Sequence, residues 1–510
     1  MMAHECGIRT GATMGASGCP PAIGPYPAYK DSGVEWLGDV PEHWEVRRVA
    51  TVADLRVSSV DKHVREGESP VRLCNYVDVY HDERITANLP FMPATATGRE
   101  MRRFRLAVGD VLVTKDSEDW TDIGVPAIVE YAADDLVCGY HLAMLRPNAT
   151  FLDGGYLFQA LKDSHVAWQC QVAAAGVTRY GLSRNAIRSM RIPLPPLSEQ
   201  TAIARFLDHA DRRIRRFIRA KEKLIALLEE QKQAIVHQAV TGQIDVRTGQ
   251  PYPAYKDSGV EWLGEVPEHW EVSRLGRLVN LTVGFAFKSE GFTQSEDDIR
   301  LLRGVNITPS GLRWDAVVRW SAQDVDSFME YRLLVGDIVM GMDRPIIRRG
   351  TRVAVITPSD VPSLLLQRVA RIRVGEALTR DFAMALLGGK GFSDYLAPIV
   401  TGISVPHLSP EQIKCFRFAL PSVWEQGAIM GHVRSRTDAI QSAIAGAAKQ
   451  IRLLGEYRSR LIADVVTGKV DVREAAASVS DMGRIASGDT SEESGVPVVE
   501  PDAELQPIHP

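Results

Sequence analysis

The residue types that do chemistry are all present in this 510-residue chain, but not at the spacings chemistry needs. A phosphate-binding loop takes G-x-x-x-x-G-K-[ST], so that backbone N–H groups wrap the phosphates and the lysine meets their charge. The closest approach, Gly388-Gly389-Lys390-Gly391, lacks both the spacing and the Ser/Thr after the lysine. H-E-x-x-H, which would set two imidazoles on one helix face for zinc, is absent, as is the nucleophile elbow G-x-S-x-G. There is no Gly-rich strand-to-helix turn for adenosylmethionine and no N-P-P-Y-type tetrad. Carboxylate pairs such as Asp116 with Glu118, or Asp134 with Asp135, read as loop charges. The six cysteines (Cys6, Cys19, Cys74, Cys138, Cys170, Cys415) form no C-x-x-C pair and have no histidine at metal spacing, so neither a zinc site nor a disulfide frame is expected. No catalytic residue and no metal ligand is assigned, and catalysis by this chain alone is not expected.

What the chain does show is duplication. Tyr26 to Val46 reads YPAYKDSGVEWLGDVPEHWEV and returns from Tyr252 to Val272 with 20 of 21 positions identical; only Asp39 against Glu265 differs. TGQIDVR from Thr241 returns as TGKVDVR from Thr467, at the same offset along the chain. Two markers in one register, with different sequence between them, mean that whole units were duplicated. The Trp-Leu-Gly and Pro-Glu-His-Trp steps of the longer marker suggest turns and aromatic anchors that clamp each unit against its neighbour.

Composition is that of an ordinary globular protein, with 45% hydrophobic and 24% charged residues. No run approaches the ~18 apolar residues of a membrane span, and the N-terminus lacks a signal-peptide core, so cytoplasmic residence without a membrane is the expectation. The net charge of -5 is unevenly spread. From Asp471 to Pro510 there are nine acidic and two basic residues, whereas Ser273 to Ala419 holds 19 basic and 15 acidic. A weakly basic body with an acidic tail is compatible with a DNA partner without requiring one.

The sequence divides into a disordered extension (1–25), a variable domain (26–192), a conserved helix with connector (193–246), a second variable domain (247–419), a distal conserved helix (420–473) and a disordered acidic tail (474–510). The fold class is α+β, mixed helix and strand. Short β-like runs at Val71–Leu73, Asp110–Val113 and Ala127–Val129 precede a helix over Gly154 to Cys170. The second domain keeps landmarks: V-G-D at Val108–Asp110 and Val335–Asp337, and G-x-x-x-x-x-L-S at Gly176–Ser183 and Gly402–Ser409. After PLPPLSEQ, with Ser198 as N-cap, Ile203, Leu207, Ile214, Leu224, Leu228 and Ile235 recur at 3-4 spacing. After LPSVWEQ, where Trp424 stands in place of that cap, Ile429, Val433, Ile440, Leu454 and Leu461 do the same. Each is a coiled-coil seam about 40 residues long, and the other copy is the nearest partner.

Alternating variable domains and helices, the P-L-P-P-L-S-E-Q and L-P-S-V-W-E-Q boxes, the T-G-[QK]-[IV]-D-V closures and the repeated Y-K-D-S-G-V-E-W-L-G opening together resemble the specificity (S) subunit of a type I restriction-modification system, over about Tyr26 to Arg473. The resemblance implies two target recognition domains, each reading half of a bipartite asymmetric site on double-stranded DNA. It implies an antiparallel coiled coil that spaces them and docks two modification (methyltransferase) subunits, with restriction subunits joining. Adenosylmethionine and ATP with Mg would belong to those partners, and this chain would bind no cofactor. Approximate two-fold symmetry of such a pair would suit duplex DNA.

On that reading, base edges and phosphates are met by polar loop residues. The loop after V-G-D offers Lys115, Asp116 and Ser117 in the first domain, and Arg344, Arg348 and Arg349 in the second. The loop before the long helix offers Arg179 and Tyr180, against His407. Asn75 and its counterparts Arg303 and Asn306 form a third group. The run Arg212-Arg213-Arg215-Arg216-Arg219 lies on the helix and reads as solvated face, docking surface or phosphate contact. The competing class is a non-catalytic duplicated coiled-coil scaffold for protein interaction.

Overall fold

The computed structural model describes residues 24–347, 350–400 and 406–478; Arg348 and Arg349 lie outside the described residues. The chain divides into two units, Met1–Ile218 with Arg452–Pro510, and Arg219–Ile451. Each long helix contributes a part to both.

In the first unit the repeated segment forms a hairpin, Tyr29–Asp31 against Asp39–Pro41. A five-stranded sheet follows in the order Ala53–Val57, Leu142–Pro147, Val111–Thr114, Pro126–Val129, Arg84–Ile85, with a three-stranded sheet of Leu136–Cys138, Ser69–Cys74 and Met92–Ala96. Successive side chains of a strand face opposite ways. Val111, Val113, Ala143 and Leu145 therefore join the core that holds the helices, while Leu112, Leu142 and Met144 join the core shared with the smaller sheet. Burial on both faces is why V-L-V reads as a continuous apolar run rather than an alternating one.

The second unit repeats the scheme with four strands, Val279–Val283, Val369–Val374, Ile338–Gly341 and Val353–Val355, and three more, Val318–Trp320, Ile299–Leu302 and Ser363–Leu365. Ile338, Met340 and Ile372 face one core, and Val339 and Val369 the other.

The central helix spans Leu197–Val240 and the distal helix Val423–Val466, 44 residues each. In the first unit Asp211 bonds Arg458, and Ile203 and Leu207 share a core with Ile462 and Val466, so early residues of one helix meet late residues of the other. In the second unit Lys232 donates to Gln441 (2.7 Å), and Ala239 and Val240 share a core with Ile429 and Val433. Within each unit the two segments are antiparallel. Of the seam positions, Ile203, Leu207, Ile214, Ile429, Val433 and Ile440 are buried, and Leu228, Ile235, Leu454 and Leu461 are half-buried. Leu224 is 41% exposed.

Several local expectations change. The helix over Gly154 to Cys170 is two helices, Gly154–Lys162 and Ser164–Ala173. Asp163 breaks them, because its buried carboxylate accepts the N–H groups of His165 and Val166 and so starts a new helix. The central helix starts at Leu197, which places Ser198 inside its first turn rather than at the cap. The distal helix does have a cap: Ser422 Oγ accepts the Glu425 N–H. Residues 473–478, at the start of the expected tail, are helical, with Ala475 and Ala476 buried.

The tryptophans of the repeat turn inward within their own units. Trp44 is fully buried, and its indole N–H donates to Glu199 (2.9 Å), which also takes the Tyr26 hydroxyl and His43. In the second unit Tyr252 and His269 meet Glu425 in the same way. The two markers meet here. A Cβ on Gly468 would lie 2.3 Å from Pro41, and one on Gly242 would lie 2.5 Å from Pro267; both glycines have φ near +75°. The T-G step thus needs glycine both for its left-handed turn and for its close approach to the hairpin.

Candidate nucleic-acid interface

In the first unit three loops distant in sequence converge. Asp116–Ser117 pairs antiparallel with Tyr180–Gly181, and the Leu182 N–H donates to the Lys115 carbonyl (2.7 Å). Asn75 caps the helix Tyr76–His81, its side chain accepting from Val77 while Asp78 reaches back to the Asn75 N–H. That helix brings Tyr76 to Ser117 and into the field of Arg179. Tyr76 stacks on Tyr80, with ring centroids 5.4 Å apart.

Asp116 stands at the centre. Its Oδ2 takes Lys115 Nζ at 2.6 Å and lies 2.8 Å from His141 Nδ1. Partial burial works against its charge, but the Lys115 and His141 hydrogen bonds win and hold the carboxyl below its usual range. Lys115 Nζ also lies 5.1 Å from the centre of the exposed Tyr140 ring. The Lys115 charge is therefore engaged inside the protein, Ser117 is buried, and Arg179 is exposed.

The second unit builds the same centre from different residues. Asp343 Oδ1 lies 2.7 Å from His407 Nδ1, and its Oδ2 accepts from Arg368 (2.9 Å). Again burial is outweighed, here by Arg368 and His407, and the carboxyl is held down. The Leu408 N–H donates to Met342, as Leu182 does to Lys115. Arg352 ties this centre to the third loop through the carbonyls of Ile307, Gly304 and Asp343. Arg344 and Arg368 adopt φ of 44° and 63°, backbone that costs a non-glycine residue energy and is found most often at functional sites. Arg344 is exposed, with its N–H bonded to the Pro406 carbonyl.

The structure gives Asn306 and Arg303 local work. Asn306 is buried and bonds the Arg303 N–H and the Arg313 carbonyl. Arg303 donates to the Ala316 carbonyl, and burial lowers its pKa. On the central helix Arg215 is drawn into Asp211 and Glu83, while Arg212, Arg213, Arg216 and Arg219 are exposed. His141 and Arg368 were missed in the sequence. The signal that could have found them was one cationic residue type per copy, at nearly the register of the repeat, just before an apolar strand that both copies share.

An ionised carboxylate held between a lysine or arginine and a histidine, on a surface with exposed arginine and tyrosine, offers acceptors for base amino groups and donors for phosphates or guanine edges. Among the described residues there is no group of His, Cys, Asp and Glu that could hold a metal, and no helix is long and apolar enough to cross a membrane.

A family model for the type I restriction modification DNA specificity domain matches residues 102–226. The MjaVIII type I restriction enzyme specificity subunit of Methanocaldococcus jannaschii is 24% identical over 85% of this chain and 94% of its own length. This chain is thus similar to a type I restriction enzyme specificity subunit along most of its length. The EcoAI specificity subunit of Escherichia coli is 34% identical over 41% of this chain, matching 34% of its own length. A chain from a solved type I R-M system shares the fold, with a TM-score of 0.57 at 14% identity over 84% of this chain and 98% of that one.

Proposed function

We propose that this chain is a specificity subunit that reads a bipartite, asymmetric duplex site, one half through each unit, and acts only together with partner subunits. The observation that supports it is the repeated centre: Asp116 and Asp343 occupy matching places, as do their partners His141 and Arg368, while the other partner is Lys115 from one loop in the first unit and His407 from another loop in the second. A shared frame with different edges is what two readers of unlike half-sites require. The two long helices would pair as one antiparallel coiled coil, hold the readers at a fixed spacing and dock two modification subunits, with restriction subunits joining. Adenosylmethionine, ATP and Mg would be bound by those partners, in the cytoplasm.

The test is a mobility shift with duplex DNA, with and without modification subunits, across a salt series, followed by mapping of methylated adenines. Binding that weakens steeply with salt, and a two-part methylated motif, are the expected results. A complex with modification subunits that shows no DNA affinity would favour the interaction scaffold. Methylation or cleavage by the purified chain alone would overturn the division of labour.

A further inference from the structure

The two centres can be aligned by their backbone hydrogen bonds as well as by sequence. In the first unit the Lys115 N–H donates to the His141 carbonyl and the Gly139 N–H to that of Cys74. In the second the Met342 N–H donates to the Arg368 carbonyl and the Leu366 N–H to that of Leu302. One residue stands between the two bonds in each case: Tyr140 in the first unit and Gln367 in the second. Buried residues lie on either side of both, Leu136–Cys138 with Leu142–Leu145, and Ser363–Leu366 with Val369–Ile372. Tyr140 is nonetheless 48% exposed, its ring centroid 4.1 Å from that of His141 and 5.1 Å from Lys115 Nζ. Gln367 is exposed too, its backbone N–H fixed on the Phe285 carbonyl (2.8 Å). Among the described residues, neither the Tyr140 hydroxyl nor the Gln367 amide makes a side-chain hydrogen bond. Beside them Lys115 is engaged by Asp116, and Arg368 by Asp343. Each centre thus presents one uncommitted side chain from a rigidly held backbone, at the same place and with different chemistry.

We infer that Tyr140 and Gln367 are matched specificity-determining residues, the Tyr140 ring packing on a thymine methyl in one half-site and the Gln367 amide taking an adenine in the other. This rests on the function proposed above and deepens it, because it assigns a base to a residue in each unit. A carboxamide carries one acceptor and one donor side by side, which match the N6 amino group and N7 of adenine in the major groove. The C5-methyl of thymine is the apolar group on that groove, and an exposed ring is the apolar counterpart. Lys115 against the Tyr140 ring helps to hold it in place. Holding each group on fixed backbone lowers the ordering cost of the contact, so that more of it appears as discrimination.

The full chain is expressed with modification subunits, methylated adenines are mapped across the host genome, and binding is measured on duplexes changed one base pair at a time. Q367A should lose roughly tenfold discrimination at one A·T pair in one half of the motif. Y140A should lose as much at one T·A pair in the other half, and Y140F should keep it. Uracil in place of that thymine should weaken wild type and Y140F by the same factor and leave Y140A unmoved. Thermal unfolding should not change, since both side chains are in water. An unchanged motif in both alanine variants, relaxation at a G·C pair, or relaxation of both halves by one substitution overturns the inference. A wild-type complex that methylates no two-part motif would refute the proposed function before either residue is changed, and the inference with it.

Discussion

Arginine is the side chain most suited to reading guanine in the major groove, and Arg344 is exposed on strained backbone beside Asp343. Arg344→Ala should relax discrimination at one base pair by about 1–3 kcal/mol if the contact is bidentate. The check is binding to duplexes changed one base at a time. Equal weakening on every sequence, with a salt slope smaller by about one, would mark a phosphate contact instead. Asn306→Ala should behave differently. The buried amide holds Arg303 and Arg313, so its loss should cost about 1–3 kcal/mol of stability and leave sequence preference alone. The sequence made these two residues equal candidates because type and loop position are all it displays. Whether an amide is turned outward or holds a turn depends on which loops meet, as with Lys115, whose charge is satisfied by an adjacent Asp116.

The helices were the most legible elements, since their apolar spacing runs over many turns and needs no knowledge of the rest. Their environment was less so. A pair of helices covers only one stripe of each, and the seam is deeply buried only where a domain core adds a third layer, at Ile203 and Leu207 or at Ile429. Ile203→Ala should therefore cost about 2–5 kcal/mol in denaturant unfolding, and Leu224→Ala well under ~1 kcal/mol, because its side chain is already in water. The sequence also concealed an asymmetry in how the helices are held. In the first unit Glu83 meets Lys162, Arg215 and Arg458, and Arg458 also reaches Asp211. At the places of Asp211 and Arg215 the second unit has Thr437 and Gln441, which carry no charge, and at that of Arg458 it has Lys232, which donates to Gln441 instead of a carboxylate. Burial would raise the Glu83 carboxyl, but Lys162 and Arg458 hold it down at about 2. A folded value below the unfolded one stabilises the fold above the unfolded pKa, and that contribution fades as pH falls from about 4.5 towards 2. Arg458→Met should cost on the order of 3 kcal/mol at pH 7 and much less at pH 3. An equal loss at both values would mean that packing of the arginine stem, not its charge, is what matters.

At the scale of the molecule, the constant register of the repeats announced two units, but not which marker serves which. The second hairpin packs on the turn at Gly242 that precedes it in the chain, whereas the first packs on Gly468, beyond the whole of the second unit in sequence. Gly24 and Asp471 are joined by a backbone hydrogen bond of 2.7 Å, so the described ends of the chain close the first unit. No periodicity reveals this, because linear sequence hides a repeat that begins at one end and is completed at the other. Each unit nonetheless has its own sheets, cores and centre, and this leads to the strongest prediction. The loops of the second centre, from Arg303 through Asp343 to His407, all lie within residues 273–419. Replacing that segment with the matching one from a relative keeps the hairpin, the turn and both helices. Expressed with modification subunits, such a chimaera should methylate a motif in which one half is new and the other unchanged. Arg179→Ala, which removes an exposed side chain of the first centre, should in the same background alter only the unchanged half. Mapping methylated adenines across the host genome reads both outcomes in one experiment. If both halves of the motif change together after the replacement, the units do not read independently, and the pairing of one centre with one half-site is wrong.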